Sequence, residues 1–241
     1  MSFYDYFKSF RYTSVGDLKE KAKKYLQKEE GKGHLLSPIE LEGRAIAKSW
    51  WGKAWCDNLE SYADFYNRLE RGRKYVRNNA VVDLQIERGK VSAKVIGSGK
   101  TPYRIKVQIN ELGKAEYKNI IKESSTHIQN IEELINGNFP EALKKLFLKK
   151  EGGLFPTMAD IHFECSCPDV ADMCKHVAAV LYGIGARFDK EPLLFFKLRG
   201  IDTEKLIGSA IQDRIESMLS HSQAKSKRII RENEVNKLFG I

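Results

Sequence analysis

Between Val82 and Ile109 the chain alternates. Val82, Leu84 and Ile86 in "AVVDLQI", Val91, Ala93 and Val95 in "KVSAKVI", and Tyr103, Ile105, Val107 and Ile109 in "YRIKVQI" put an apolar side chain at every second position. That period predicts three short strands, each with one buried face. Gly89 and the stretch "GSGKTP" supply the turns, so an antiparallel meander is expected. Its opposite face carries Ser92, Lys94, Arg104, Lys106 and Gln108. Upstream the spacing changes to three and four. Trp51, Trp55, Leu59, Tyr62, Tyr66 and Leu69 predict one amphipathic helix starting at Ser49, with its aromatic stripe in the core and Cys56 as a small buried hydrophobe.

The flanks read as helices. "KEKAKKYLQKEEGKGH" predicts a basic helix that breaks at Gly31 and Gly33. Ile128, Ile131, Leu134 and Ile135 mark a short helix from Thr126 to Ile135, and Leu143, Leu146 and Phe147 mark another from Pro140. Pro192 opens a short helix through Leu198, and Asp202 is the expected N-cap of a longer one carrying Leu206, Ile207, Ala210, Ile211 and Ile215. The expected fold is α+β, with an N-terminal helix, a small antiparallel meander, central helices, a metal-binding strand–turn–helix unit and a helical C-terminal region. The expected divisions are a basic extension over 1–40, a helix-plus-sheet domain over 41–150, a zinc unit over 151–190 and helices over 191–241.

Charge sharpens this picture. Lysine and arginine number 41 against 32 acids, a formal charge of +9, which favours polyanionic partners such as DNA or RNA. "RLERGRKYVRN" is expected as an exposed, Arg-rich exit from the aromatic helix. Arg71, Arg73, Lys74 and Arg77 from that stretch, with Lys94, Arg104 and Lys106 from the sheet, form the candidate phosphate-binding set. "GSGKT" resembles part of a phosphate-binding loop, but the earlier glycine is absent and Pro102 leads into a strand, so that reading is rejected. "MSFYDYFKSFRY" has no secretory pattern and no apolar run is long enough for a membrane helix, so a soluble, cytoplasmic protein without a membrane partner is expected.

Three of the four cysteines crowd into "CSCPDVADMCKH". A reduced intracellular thiol cluster points to metal or catalysis rather than disulfides, and Cys165 and Cys167 are too close in sequence for an unstrained bridge. Cys165, Cys167, Cys174 and His176 form Cys-x-Cys-x₆-Cys-x-His, the donor set of a tetrahedral Cys₃His zinc site. Alternation sends Cys165 and Cys167 to one side, Pro168 and Asp169 turn the chain, and Cys174 and His176 open a helix whose buried face is Val177, Val180, Leu181 and Ile184. Four protein ligands close the coordination sphere, so one structural zinc is expected and no reaction. Losing it is expected to unfold the stretch from roughly 159 to 187 while the upstream helix and sheet stay folded.

This spacing resembles the SWIM zinc finger. "CSCPDVADMCKHVAAVLYGIGARFDKEPLLFFKLRG" is similar to the form found in bacterial SWIM zinc finger family proteins, and "LEGRAIAKSWWGKAWCDNLE" and the closing "NKLFGI" extend the likeness over most of the chain from about Leu41. Val170 departs from the aromatic that relatives often carry there. The resemblance implies a DNA-binding or protein-interaction module, of a kind associated with Swi/Snf-type helicase ATPases, with no assigned reaction.

Enzymatic alternatives fare poorly. His162-x-Glu164 matches part of a zinc deaminase signature, but its Pro-Cys-x-x-Cys partner is missing. No Cys-x-x-Cys redox motif appears, and Cys174 beside His176 is a poor nucleophile–base pair. A nucleic-acid-binding accessory module is the expected function, with docking to a Swi/Snf-type helicase ATPase as the alternative.

Overall fold

The computed structural model describes residues 15–61, 66–124, 131–138, 140–169, 171 and 173–205, together with positions 208, 212, 215, 216 and 219. Its helices are α1 (Val15–Glu30), α2 (Trp50–Glu60), α3 (Tyr66–Arg77), α4 (Lys114–Ser124), α5 (Ile131–Asn136), α6 (Glu141–Phe147), α7 (Lys175–Lys190) and α8 (Leu193–Leu198). The strands are β1 (Val81–Glu87), β2 (Lys90–Val95), β3 (Tyr103–Ile109) and β4 (Ile161–Cys165), so the fold is α+β as the pattern predicts. Most of the expected C-terminal helix, with Leu206, Ile207, Ala210 and Ile211, lies outside the described residues, as do Tyr62, Val170 and residues 126–130 of the short helix. Among the described residues no helix is long and apolar enough to cross a membrane.

The meander forms as its alternation dictates, and β4 adds to it as a fourth antiparallel strand in the order β1-β2-β3-β4. The register aligns Leu84, Ala93, Ile105 and Cys165 in one row and Ile86, Val91, Val107 and Phe163 in the next. Because alternation makes these rows inward-facing, the first cysteine of the cluster stands at the end of a core row. The segment Ser37–Ile39 runs along the free edge of β1, giving Ile39 N–H to Val81 O and receiving Leu84 N–H at Ser37 O.

Helix α7 packs against all four strands on one side and against α3 and α2 on others. Every residue from His176 to Ala186 is buried, as is Phe188. The sequence reading gave this helix one buried face; it is a core helix, enclosed all round. Small residues make this enclosure work. A Cβ on Gly72 of α3 would stand 2.5 Å from the Ala178 Cβ, so only glycine lets the two backbones approach this closely. On the α2 side, Trp55 Nε1–H donates to Leu181 O at 2.8 Å.

The expected single aromatic helix is two. Helix α2 ends at Glu60 and α3 starts at Tyr66. The Arg-rich stretch expected as an exposed exit is α3 itself, with Leu69, Gly72, Tyr75 and Val76 buried. Ser49 caps α2 by accepting from Gly52 N–H, and Asp189 at the end of α7 accepts from the Ser49 amide and hydroxyl at 2.9 and 2.7 Å. Helix α4 has no counterpart in the sequence reading; its Tyr117, Ile120 and Ile121 are half-buried or buried. At the far end of α7, Trp51 lies 4.9 Å from the rings of both Phe195 and Phe196 and donates Nε1–H to Leu134 O.

Candidate metal centre

The site forms where β4 stops and α7 starts. Beyond Cys165 the ladder continues one step, with Ser166 N–H donating to Arg104 O at 3.0 Å and Arg104 N–H to Ser166 Oγ at 2.9 Å. This keeps the "CSC" segment extended, as bringing Cys165 and Cys167 to one side requires. The chain then turns back at Asp169, whose carboxylate accepts from Ala171 N–H and from Arg68 of α3 at 2.9 Å. Cys174 is the N-cap of α7, its Sγ accepting from Val177 N–H at 3.5 Å. His176 follows in the first turn.

One donor atom from each of Cys165, Cys167, Cys174 and His176 lies within 4.8 Å of every other. A tetrahedral zinc with arms of about 2.3 Å to sulfur and about 2.0–2.1 Å to nitrogen has a sulfur–nitrogen edge of about 3.6 Å. His176 Nδ1 stands 3.8 Å from Cys174 Sγ and 4.0 Å from Cys165 Sγ, within a few tenths of an ångström of that edge. All four cysteines are free thiols, so the three in the cluster are available as thiolates. Cys174 and His176 are buried, and Cys165 and Cys167 half-buried. The set is that of one structural zinc, with no position left for substrate.

Without metal the thiols compete for protons. A hydrogen bond from the Cys165 thiol, aided by His176 and the Val177 amide and opposed by burial, lowers the Cys174 pKa to about 3. The same hydrogen bond and burial push the Cys165 thiol up, and burial pushes up Cys167. Zinc binding to this thiol cluster must therefore displace protons.

Packing positions the imidazole. The Tyr103 ring lies 4.4 Å from it and the Tyr75 ring 5.3 Å edge-on. His176 Nε2 is buried without a hydrogen-bond partner among the described residues. A Cβ on Gly97 would stand 2.8 Å from that nitrogen and 2.6 Å from Tyr103. Gly97, Tyr75 and Tyr103 thus fix the ligand, and no motif in the sequence marked them for it. Gly97, the first residue of the "GSGKT" segment rejected as a nucleotide loop, walls the metal site at His176.

The seven candidate cations fall on separate elements. Lys94, Arg104 and Lys106 project from the outer sheet face, where Lys94 pairs with Asp83 at 3.2 Å and Lys106 meets Glu164 at 3.8 Å. Arg71, Arg73, Lys74 and Arg77 lie on α3, which packs on α7 over the inner face. These four thus stand on the opposite side of the sheet from the other three. Arg73 bonds Tyr182 OH at 2.8 Å and Glu60 at 2.8 Å, tying α2, α3 and α7 together. Lys74 pairs with Glu70 on its own helix. Arg71, Arg77 and Arg104 are exposed. Lys175, between two ligands, was not singled out; its ammonium sits 5.5 Å over the Tyr75 ring, and burial and then the nearby Arg71 lower its pKa. His162 and Glu164 stand on the outer face of β4, opposite Gln108 and Lys106 and away from the thiol cluster.

Residues 164–183 match the sequence model of the SWIM zinc finger. The chain is 35% identical over 173 residues to the uncharacterized protein Rv2102 of Mycobacterium tuberculosis, a stretch covering 71% of this chain and 62% of that protein's length. No solved structure matches. The four donors that the fold gathers around one point are the four of the matched pattern, and on that coincidence residues 164–183 form a zinc-binding SWIM zinc finger.

Proposed function

We propose that this chain is a non-catalytic accessory module that binds nucleic acid in the cytoplasm, its zinc holding in place the elements that present a basic surface. The observation that carries the reading is where cations meet the metal centre. Lys175 lies between the ligands Cys174 and His176, and the charge of the exposed Arg71 acts on it there. Asp169, Cys167 and Cys174 offset part of the repulsion between these cations, and a phosphate shared by both would offset more. The outer sheet face contributes less than expected, because its lysines meet Asp83 and Glu164. A ligand set that already fills zinc's four positions supports a structural rather than a catalytic metal.

Anisotropy titrations with labelled duplex and single-stranded oligonucleotides at several salt concentrations test this. Arg71→Gln and Arg104→Gln should each flatten the salt slope by about 0.9 on duplex and leave sequence preference unchanged. Absence of binding at low salt contradicts the reading. The second reading, docking to a Swi/Snf-type helicase ATPase, draws on an apolar groove of about 520 Å³ beside α8 lined by Ile135, Leu193, Leu194 and Ile201. It expects the arginine substitutions to leave nucleic-acid binding unaffected and Leu193→Asp to weaken capture of the ATPase.

A further inference from the structure

A cleft of about 520 Å³ opens between α1 and the segment 96–102, on the outer side of the wall that Gly97 forms against His176. Its α1 side presents Asp17, Lys21 and Lys24, spaced four and three residues apart and so on one face of the helix. Lys100 and the hydroxyls of Ser98 and Thr101 come from the loop, and the half-buried Tyr25 lines it too. Among the described residues Lys21 and Lys100 have no ion-pair partner, while Lys24 meets Glu20 at 2.6 Å on the exposed helix surface. The amides of the exposed residues 98–101 donate to no backbone carbonyl of the described residues, so they are open to a ligand or solvent. Two ammonium groups of α1 facing a turn that carries a third, with its amides and hydroxyls, form a receptor for phosphate oxygens, with one carboxylate, Asp17, at its margin.

We propose that this cleft receives the phosphates of a single nucleic-acid strand, with Tyr25 offering a ring to an adjacent base. The inference rests on the nucleic-acid reading above and locates the contact at residues that reading does not use. The volume is that of a ligand pocket, suited to one backbone with a base. The loop that supplies the donors is not free to wander, because Gly97 is clamped between His176 and Tyr103. The metal centre therefore preorganises the cleft.

The test uses the full zinc-loaded chain and a short fluorescein-labelled oligothymidylate. The four substituted lysines are exposed, so folding is not at stake in the two doubles, and the half-buried Tyr25 variant is first matched to wild type by circular dichroism. The double variant Lys21→Gln with Lys100→Gln should bind at least about tenfold more weakly at low salt and flatten the salt slope by about 1.4, the value for two phosphate contacts on a single strand. The charge-matched double Lys149→Gln with Lys150→Gln, on the surface beyond α6, should differ little from wild type. Tyr25→Ala should weaken binding without altering the slope. Equal losses in the two lysine doubles, or no loss in the first, overturn the cleft and leave the nucleic-acid reading standing. No binding by the wild-type chain overturns both. Complete displacement of the strand by millimolar pyrophosphate, with no dependence on strand length, would make a free phosphate compound the ligand and overturn the assignment to a strand.

Discussion

Replacing Cys174 by Ala deletes a zinc ligand and the N-cap of α7 in one step. Structural zinc contributes about 10–16 kcal/mol to small units that fold around it. A whole domain is stable by only about 5–15 kcal/mol. The question is whether the loss stays local, as the sequence spacing suggests, or spreads. Unfolding residues 159–187 alone would strip Val177, Val180, Leu181, Tyr182 and Ile184, each at most 1% exposed, from their neighbours. At about 1.5–3 kcal/mol per fully buried side chain, that costs about 7–15 kcal/mol, before counting the faces of α2, α3 and the sheet left bare. Local opening is then no cheaper than global unfolding, so the variant should unfold as one unit. Trp51 lies on α2 against Phe195 and Phe196, outside the zinc-binding segment, and reports on the rest of the core. Urea unfolding followed by tryptophan emission and far-UV circular dichroism should give coincident curves in wild type, and Cys174→Ala should lack both native signals. Hydrogen exchange should show β1–β3 losing protection together with α7. Native tryptophan emission and protected β1–β3 beside a freely exchanging 159–187 would refute this reasoning.

Gly97→Ala should cost about 1–3 kcal/mol by overpacking against His176 and Tyr103 and should lower zinc affinity against a chromophoric chelator. Gly16→Ala, where the added atom meets nothing within 4 Å, should be neutral or stabilising by thermal melts. Arg73→Gln should lower stability by about 1–3 kcal/mol, because Glu60 and Tyr182 lose a charged partner, yet leave the salt slope of oligonucleotide binding unchanged. Hydrogen bonds from His34 and then Lys32 hold the Glu29 carboxyl near pKa 2. Its folded pKa is depressed, so its contribution to stability is full above the ordinary glutamate value of about 4.3 and fades as pH falls toward 2. An NMR titration should place Glu29 near 2, and His34→Ala should move it up toward the ordinary range.

The metal ligands and the meander were legible because both are local. Two-residue alternation sets strand faces directly, and four donors within twelve residues state their chemistry without knowledge of the fold. What sequence could not show is what those pieces touch. Ile161, Phe163 and Cys165 alternate plainly, but that β4 pairs with β3, fifty residues earlier in the chain, is a long-range choice with no local signature. The boundary between α2 and α3 was missed because apolar spacing runs on from Leu59 through Tyr66 to Leu69. Charge in "RLERGRKYVRN" concealed a helix whose buried positions, Leu69, Gly72 and Val76, sit three and four apart, with the middle one a glycine that pattern counting passes over. For α7 the alanines and glycines were read as neutral filler; they are the contact surface for α3 and α2. Gly97 shows the same failing at the metal site, where its importance lies in the absence of a side chain.

The central claim is a closed Cys₃His zinc site that the fold depends on. Elemental analysis of protein washed with a weak chelator tests it directly. One equivalent of zinc per chain, lost along with native circular dichroism when Cys167 is replaced by Ala, is the predicted result. Wild-type protein that retains no metal yet remains folded would contradict it.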